Sequence, residues 1–191
     1  NMLLLCGVLT SLLAEWSHRS KADLSVSLAR LRDANAQIEA QRNRLNGIVE
    51  GTHVGTWEWN IQSGELLIND RWAEIVGYKL EELAPIGIAT WEKLAHPDDL
   101  KRSGELLEAH FSGKLPYYAC EARMRHKDGH WVWVLDRGRV SAWTKDGRPL
   151  VMGGTHQDIT DRKLITEALE QSESRYRQAS ESLAIERAKL R

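Results

Sequence analysis

YYACEARMRHKDGHWVWVLDRGRVSAWTKDGRPLVMGGTHQ, residues 117–157, is the stretch whose reading decides the fold. From Tyr117 to Arg125 the inward set Tyr118, Cys120, Ala122 and Met124 alternates with Glu121, Arg123 and Arg125. A period of two places alternate side chains on opposite faces of a strand, one face buried and one wet. Lys127-Asp128-Gly129 reads as a hairpin turn, and Asp146-Gly147 as a second. Between them His130 to Trp143 forms a long strand, and Leu150 to Gln157 forms the last one. Tight turns between consecutive strands dictate an antiparallel sheet, because a parallel pair needs a long crossover.

Upstream the pattern changes. Val54 to Ile61 (VGTWEWNI) alternates with Trp57, Trp59 and Ile61 on one face. Gln62-Ser63-Gly64 turns the chain into a second short strand, Glu65 to Ile68. Asn69-Asp70 can cap a short helix carrying Trp72, Ala73, Ile75 and Val76, which Gly77 ends. Lys79 to Ala84 is another helical turn stopped by Pro85, and Thr90 to Ala95 a third. His96-Pro97-Asp98-Asp99 opens a longer helix: proline is at ease in the first helical position, and carboxylates suit the positive helix start. Leu100, Leu107 and Phe111 share a face of that helix, and Gly113 ends it. Two strands, several small helices and three strands make an α+β domain with an antiparallel sheet covered on one face.

Composition agrees. The 191 residues carry 26 Lys and Arg against 27 Asp and Glu, a balance that argues against a nucleic-acid partner. Two cysteines, Cys6 and Cys120, exclude a disulfide scaffold or a cysteine zinc site. Seven of the eight Trp lie between Trp57 and Trp143, which places the packed core there.

Helices are expected on both sides of this core. From Lys21 to Glu50 there is no Pro, and Leu24, Leu31, Ile38 and Leu45 recur every seven residues. Leu28, Asn35, Arg42 and Val49 fill the second seam; Asn35 there would fix the register of a parallel dimer. The alternative is one amphipathic helix lying along a globular domain. From Asp161 to Arg191 neither Gly nor Pro occurs, and Leu169, Tyr176, Leu183 and Leu190 repeat the spacing over a weaker seam of Ile165, Ser172, Ala179 and Glu186. No stop signal closes this helix, so it is expected to run on into a further element. Ahead of the first coil, Met2 to Ala14 (MLLLCGVLTSLLA) carries no charge and is followed by Trp16, His18, Arg19 and Lys21. Thirteen helical residues rise only about 20 Å, short of a hydrocarbon core of roughly 30 Å. No basic region precedes the run as a signal peptide requires. We read it as the C-terminal part of a transmembrane helix, with Trp16 at the interface and Arg19 and Lys21 on the cytoplasmic side. A short apolar helix docked on its own domain is the alternative.

Five motifs in order (GTWEWN, RWAEIVGY, HPDD, EARMRHKDG and DITDRK) give residues 47 to about 163 a resemblance to the Trp-rich PAS domains of bacterial sensors. The resemblance implies a five-stranded antiparallel sheet with short helices walling a pocket, and sensing or dimerisation rather than catalysis. It marks Asp158, Ile159 and Thr160 as the junction between the last strand and the outgoing signalling helix. There Thr160 is placed to cap the helix, Asp158 to hold the junction by polar contacts, and Ile159 to pack as a hinge. Trp72, Trp91, Tyr118, Met124 and His156 are the candidate pocket residues. His156 stands where light-sensing relatives carry a Gln, and a pocket-facing His can donate to a ligand or titrate near neutral pH. The bland reading is that His156 and the Trp residues simply fill the core.

The cofactor is left open between a small ligand and a flavin. The stretch from Thr90 to Pro97 has no cysteine for flavin photoadduct chemistry, and His110, the one His on the long helix, stands near its end and argues against haem. His126 and His130 straddle a hairpin turn rather than one helix face, so no zinc site is expected. No phosphate loop, dinucleotide fingerprint or nucleophile elbow is present.

The chain is therefore expected to be a non-enzymatic sensor and relay: residues 1–19 ending a membrane helix, 20–46 a coil, 47–160 the PAS domain, 161–191 a signalling helix. Its expected partners are a second copy of itself, the membrane, and a C-terminal diguanylate cyclase or histidine kinase. The expected location is the bacterial inner membrane with the PAS domain cytoplasmic, or the cytoplasm for the fragment alone. SESRYRQASES resembles the lead-in to a second PAS domain. The rival function is a ligand-free dimerisation scaffold.

Overall fold

The computed structural model describes the backbone of residues 2–189 and the side chains of residues 24–182. The side chains of the apolar run Met2–Ala14, of Trp16, Arg19 and Lys21, and of Leu183, Glu186 and Leu190 lie outside the described residues. Among the described residues no helix is long and apolar enough to cross a membrane.

Contacts divide the chain into two units, Asn1–Thr52 and His53–Arg191. The first is one helix, α1 (Met2–Thr52). It continues through Gly47 and Gly51; a helical glycine costs only about 1 kcal/mol, too little to stop a helix by itself. Leu24, Leu31, Ile38 and Leu45 are exposed along it.

The second unit holds β1 (Gly55–Asn60), β2 (Leu66–Ile68), α2 (Asp70–Ile75), a 3₁₀ turn (Leu80–Leu83), α3 (Ile88–Leu94), α4 (Pro97–Phe111), β3 (Tyr118–Arg125), β4 (Trp131–Trp143), β5 (Pro149–Asp158) and α5 (Thr160–Lys189). The strands form one antiparallel sheet in the order β2-β1-β5-β4-β3. The two hairpins β3–β4 and β4–β5 pair as the Asp-Gly turns dictate. β5 then closes the sheet against β1, with Gly55 opposite His156 and Asn60 opposite Val151.

Local signals act as expected. The Asn69 side chain accepts the Trp72 N–H and caps α2. His96 does the same for α4 through the Asp98 N–H, with Pro97 in the first turn. Burial alternates strictly along β3, with Tyr118, Cys120, Ala122 and Met124 inside. Val132, Val134, Asp136 and Val140 are buried on β4, and Trp57, Trp72, Trp91 and Met152 complete the core. One close approach sets the shape of its centre: the Trp57 indole lies against the paired glycines Gly138 and Gly154. A Cβ on Gly138 would sit 2.6 Å from that ring and one on Gly154 2.5 Å, so only glycine leaves the ring its place.

The long helix is tied to the sheet by charge. Asp99, buried on α4, accepts from the Arg123 backbone N–H and Nε, each at 2.8 Å. Burial works to raise the Asp99 pKa, but these bonds and the Arg123 charge outweigh it and hold the carboxyl below its ordinary range.

Candidate functional site

Between the inner face of the sheet and helices α2, α3 and α4 lies a cavity of about 230 Å³. Trp57 and Trp59 from β1, Trp72 from α2 and Trp91 from α3 supply four indole walls, and Leu66, Leu100 and Leu107 fill between them. One polar network is set into this apolar lining. Trp57 Nε1 donates to Asp136 Oδ1 at 2.9 Å, and the Tyr118 hydroxyl donates to Asp136 Oδ2 at 3.1 Å. With that proton committed, Ser103 supplies the hydrogen of the 2.8 Å Ser103–Tyr118 bond. His156 Nε2 lies 3.2 Å from Asp136 Oδ1. The His156 ring stacks on Trp72 at 5.3 Å and sits 5.2 Å from Trp91. Burial, and then the Asp136 charge, push the Tyr118 hydroxyl well above the usual phenol range, so Tyr118 stays a donor.

Each group is where its element puts it. Asp136 occupies an inward position of β4 in phase with Val132 and Val134, and β5 brings His156 opposite it in register. Ser103 shares a face of α4 with Leu100 and Leu107. Among the described residues, Trp59 Nε1 is the buried side-chain polar atom left without a hydrogen-bond partner.

The end of β5 joins this cavity to the outgoing helix. Two residues after His156, the Asp158 carboxylate accepts the Thr160 N–H at 2.9 Å. The Thr160 hydroxyl accepts the Trp133 N–H of β4 at 3.0 Å, and the Ile159 N–H donates to the Trp133 carbonyl at 2.9 Å. Ile159 is buried. Glu121 of β3 holds the first turn of α5, 2.5 Å from Arg162 and 2.6 Å from Lys163.

Comparison with known proteins bears on what such a domain is. Residues 65–156 match the family described as PAS fold. A solved sensory box histidine kinase/response regulator from Burkholderia thailandensis E264 superposes with a TM-score of 0.62 at 32% identity, over 71% of this chain and 98% of that one. The chain belongs to the PAS family. Its PAS domain is homologous to stretches of the probable diguanylate cyclase DgcE of Escherichia coli K12, 26% identical over 148 residues, and of the two-component sensor PprA of Pseudomonas aeruginosa, 26% identical over 164 residues. The alignments cover 78% and 81% of this chain but only 13% and 16% of those proteins. PAS domains of this kind are sensory modules rather than catalytic ones.

Of the residues expected in the PAS pocket, Trp72, Trp91, Tyr118 and His156 line the cavity, and Met124 does not. Met124 shares the inward phase of β3 with Tyr118 but stands six residues along, about 20 Å at 3.3 Å per residue. There Met124 is fully buried, opposite Val132. The cavity residues missing from the sequence reading are chiefly Asp136, Ser103, Trp57 and Trp59. For Asp136 a signal existed: a carboxylate in the apolar phase of a strand.

At the junction the roles are redistributed. Thr160 was expected to cap α5, but its hydroxyl bonds to Trp133 of the sheet, and Asp158 takes the helix N–H instead. The two turn histidines also differ from expectation. His126 and His130 meet, rings stacked at 4.2 Å and 24°, with Asp128 beside them. One potential ligand atom from each of His126, Asp128 and His130 lies within 4.8 Å of the others.

Proposed function

We propose that this PAS domain senses a small molecule in its cavity and relays occupancy through β5 to α5, and so to an effector domain. The observation that carries the reading is that one strand bears both ends of the relay. His156 stands in the cavity wall, and Asp158, two residues on, grips the first turn of α5. A ligand that shifts the His156–Asp136 pair acts on β5 directly. Such coupling needs a two-state element that both sites bias. The Asp158–Ile159–Thr160 knot, held to β4 by two hydrogen bonds at Trp133, is that element.

The cavity suits a ring-sized ligand. At about 230 Å³ it falls below the roughly 300–1,000 Å³ of pockets that take drug-sized molecules, and a flavin is larger still. DgcE and the Burkholderia thailandensis sensory box histidine kinase support a diguanylate cyclase or a histidine kinase as the effector in the parent protein. The seven-residue repeats of α1 and α5, exposed at Leu24, Leu31, Ile38, Leu45, Leu169 and Tyr176, support parallel dimerisation in signalling. The apolar run at residues 2–14 with its Trp, Arg and Lys border supports anchoring to the inner membrane, domain in the cytoplasm. The division into membrane end at 1–19, coil at 20–46, PAS domain at 47–160 and signalling helix at 161–191 goes with this reading.

The test is to fuse residues 1–191 to a reporter diguanylate cyclase and compare wild type with Asp158→Ala and Thr160→Ala. A lost cap costs about 1 kcal/mol, small against a domain stability of roughly 5–15 kcal/mol but of the order of a two-state signal. Melting is expected to change little while cyclase output shifts severalfold. Unchanged output with intact folding refutes the relay. Native mass spectrometry separates sensing from scaffolding: a retained small molecule supports the first, an empty cavity in a stable dimer the second.

A further inference from the structure

The turn between β3 and β4 carries three side chains of metal-ligating type, His126, Asp128 and His130, at alternate positions. A hairpin turn, which spoke against a zinc site in the sequence, is what assembles them. The His126 N–H donates to the His130 carbonyl and the Gly129 N–H to the His126 carbonyl, both at 2.9 Å. This tight reversal stacks the two imidazoles at 4.2 Å and sets one potential ligand atom of each residue within 4.8 Å of the others.

His126 is the fixed member. Its ring is half-buried against Gly77, where an added Cβ would sit 2.2 Å from Nε2. Its Nδ1 accepts the Asp128 N–H at 3.1 Å and lies 3.4 Å from Asp128 Oδ2. A metal taken at Nδ1 replaces that N–H. The turn is itself tied to the loop after α2, the Lys127 N–H donating to the Val76 carbonyl at 2.9 Å. Asp128 and His130 are exposed, so their side chains have room to rotate. Zinc bonds of about 2.0–2.2 Å set tetrahedral ligand atoms about 3.4 Å apart, a closure that these rotations supply. The neighbouring cations are engaged elsewhere. Lys127 Nζ lies 2.5 Å from Glu82 Oε1, and the Arg125 guanidinium lies over the Trp131 ring at 5.2 Å. Two imidazoles and one carboxylate suit zinc, copper or nickel, whereas magnesium and calcium take oxygen ligands.

We propose that His126, Asp128 and His130 form a three-ligand site for a divalent transition metal, zinc foremost, with the remaining position open to solvent. The bound ion bridges the two strands at their turn and pins them over the Gly77 loop. None of the three residues lines the cavity, so the site does not depend on the sensing reading.

The test is isothermal titration of the whole chain with Zn2+, Ni2+ and Mg2+. Wild type is compared with Asp128→Asn, His130→Ala and, as a control at another exposed histidine, His53→Asn. Wild type is expected to bind Zn2+ and Ni2+ but not Mg2+. Changing an outer partner of a metal ligand costs about 10–100-fold in affinity, and losing a ligand should cost at least as much. Asp128→Asn and His130→Ala should therefore each weaken Zn2+ binding by about tenfold or more, with His53→Asn within about twofold of wild type. In the wild type, substoichiometric Cu2+ should broaden the amide NMR signals of residues 126–130 first. Absence of Zn2+ binding, wild-type affinity in both turn variants, or broadening centred elsewhere overturns the proposal and leaves the stacked histidines as packing of the turn. Mg2+ binding as tightly as Zn2+ overturns it too, in favour of plain charge attraction. Should one variant not fold, the other and the broadening map still decide.

Discussion

At the scale of single residues, the centre of the domain depends on what is absent from two positions. A Cβ on Gly154 would sit 2.1 Å from the Arg137 carbonyl as well as against Trp57, and neither backbone nor indole can retreat. Gly154→Ala is expected to destabilise by about 1–3 kcal/mol or more, read as a lower urea midpoint. Gly104 is the contrast: it lies within α4, and a Cβ there meets nothing within 4 Å. Gly104→Ala should stabilise by about 0.5–1 kcal/mol in the same assay. Asp136→Ala strands the Trp57 and Tyr118 donors and should cost about 3 kcal/mol. None of these values is visible in the sequence, because each depends on which residue is brought opposite from more than fifteen positions away. What the sequence does carry at this scale is phase. Tyr118 could be placed inward from the alternation, and His156 only from the resemblance to PAS domains, but the same alternation placed Met124 inward too. Nothing local says which end of a strand faces a void and which faces packed side chains.

At the scale of elements, the first turn of α5 is held by charge. The Lys163 ammonium, then Arg162, keeps the Glu121 carboxyl below its ordinary value of 4.5. A group whose pKa is lowered by folding stabilises the folded arrangement above its unfolded value. That contribution fades as pH falls through the lower, folded one. The base of α5 should therefore loosen below about pH 4.5 while the sheet persists. Hydrogen exchange at residues 161–166, faster at pH 3.5 than at pH 6 after correction for intrinsic rates, is the expected sign, and Glu121→Gln should show it already at pH 6. The exposed repeat of α1 makes a separate prediction: Leu31→Asp with Ile38→Asp should give monomers by light scattering without lowering the melting temperature of the domain. Element type was largely readable in advance, since Asp-Gly turns, an Asn cap and a Pro at a helix start are local devices. The helix read over Lys21 to Glu50 lies within α1, which passes through Gly47 to Thr52, because one glycine costs less than the helix around it gains.

At the scale of the whole molecule, the order of strands matters more than their number. β5 lies in the middle, between β1 and β4, although it is the last strand of the chain. A chain cut after Gly147 has four of the five strands but no central one, and is expected to give no cooperative unfolding transition. A chain cut after Lys163 keeps the sheet and the base of α5 and should melt close to the full-length temperature. Circular dichroism on both truncations checks this.

That same pairing leaves the domain with neighbouring ends. The residue that opens β1, Gly55, faces His156 near the close of β5, so the polypeptide comes in and goes out through one doorway. A unit built this way can be inserted into a host polypeptide, duplicated in tandem or excised while the flanking segments stay where they were. The sheet order thus makes the sensor a cassette, and what it is wired to is free to change in evolution without any redesign of its interior.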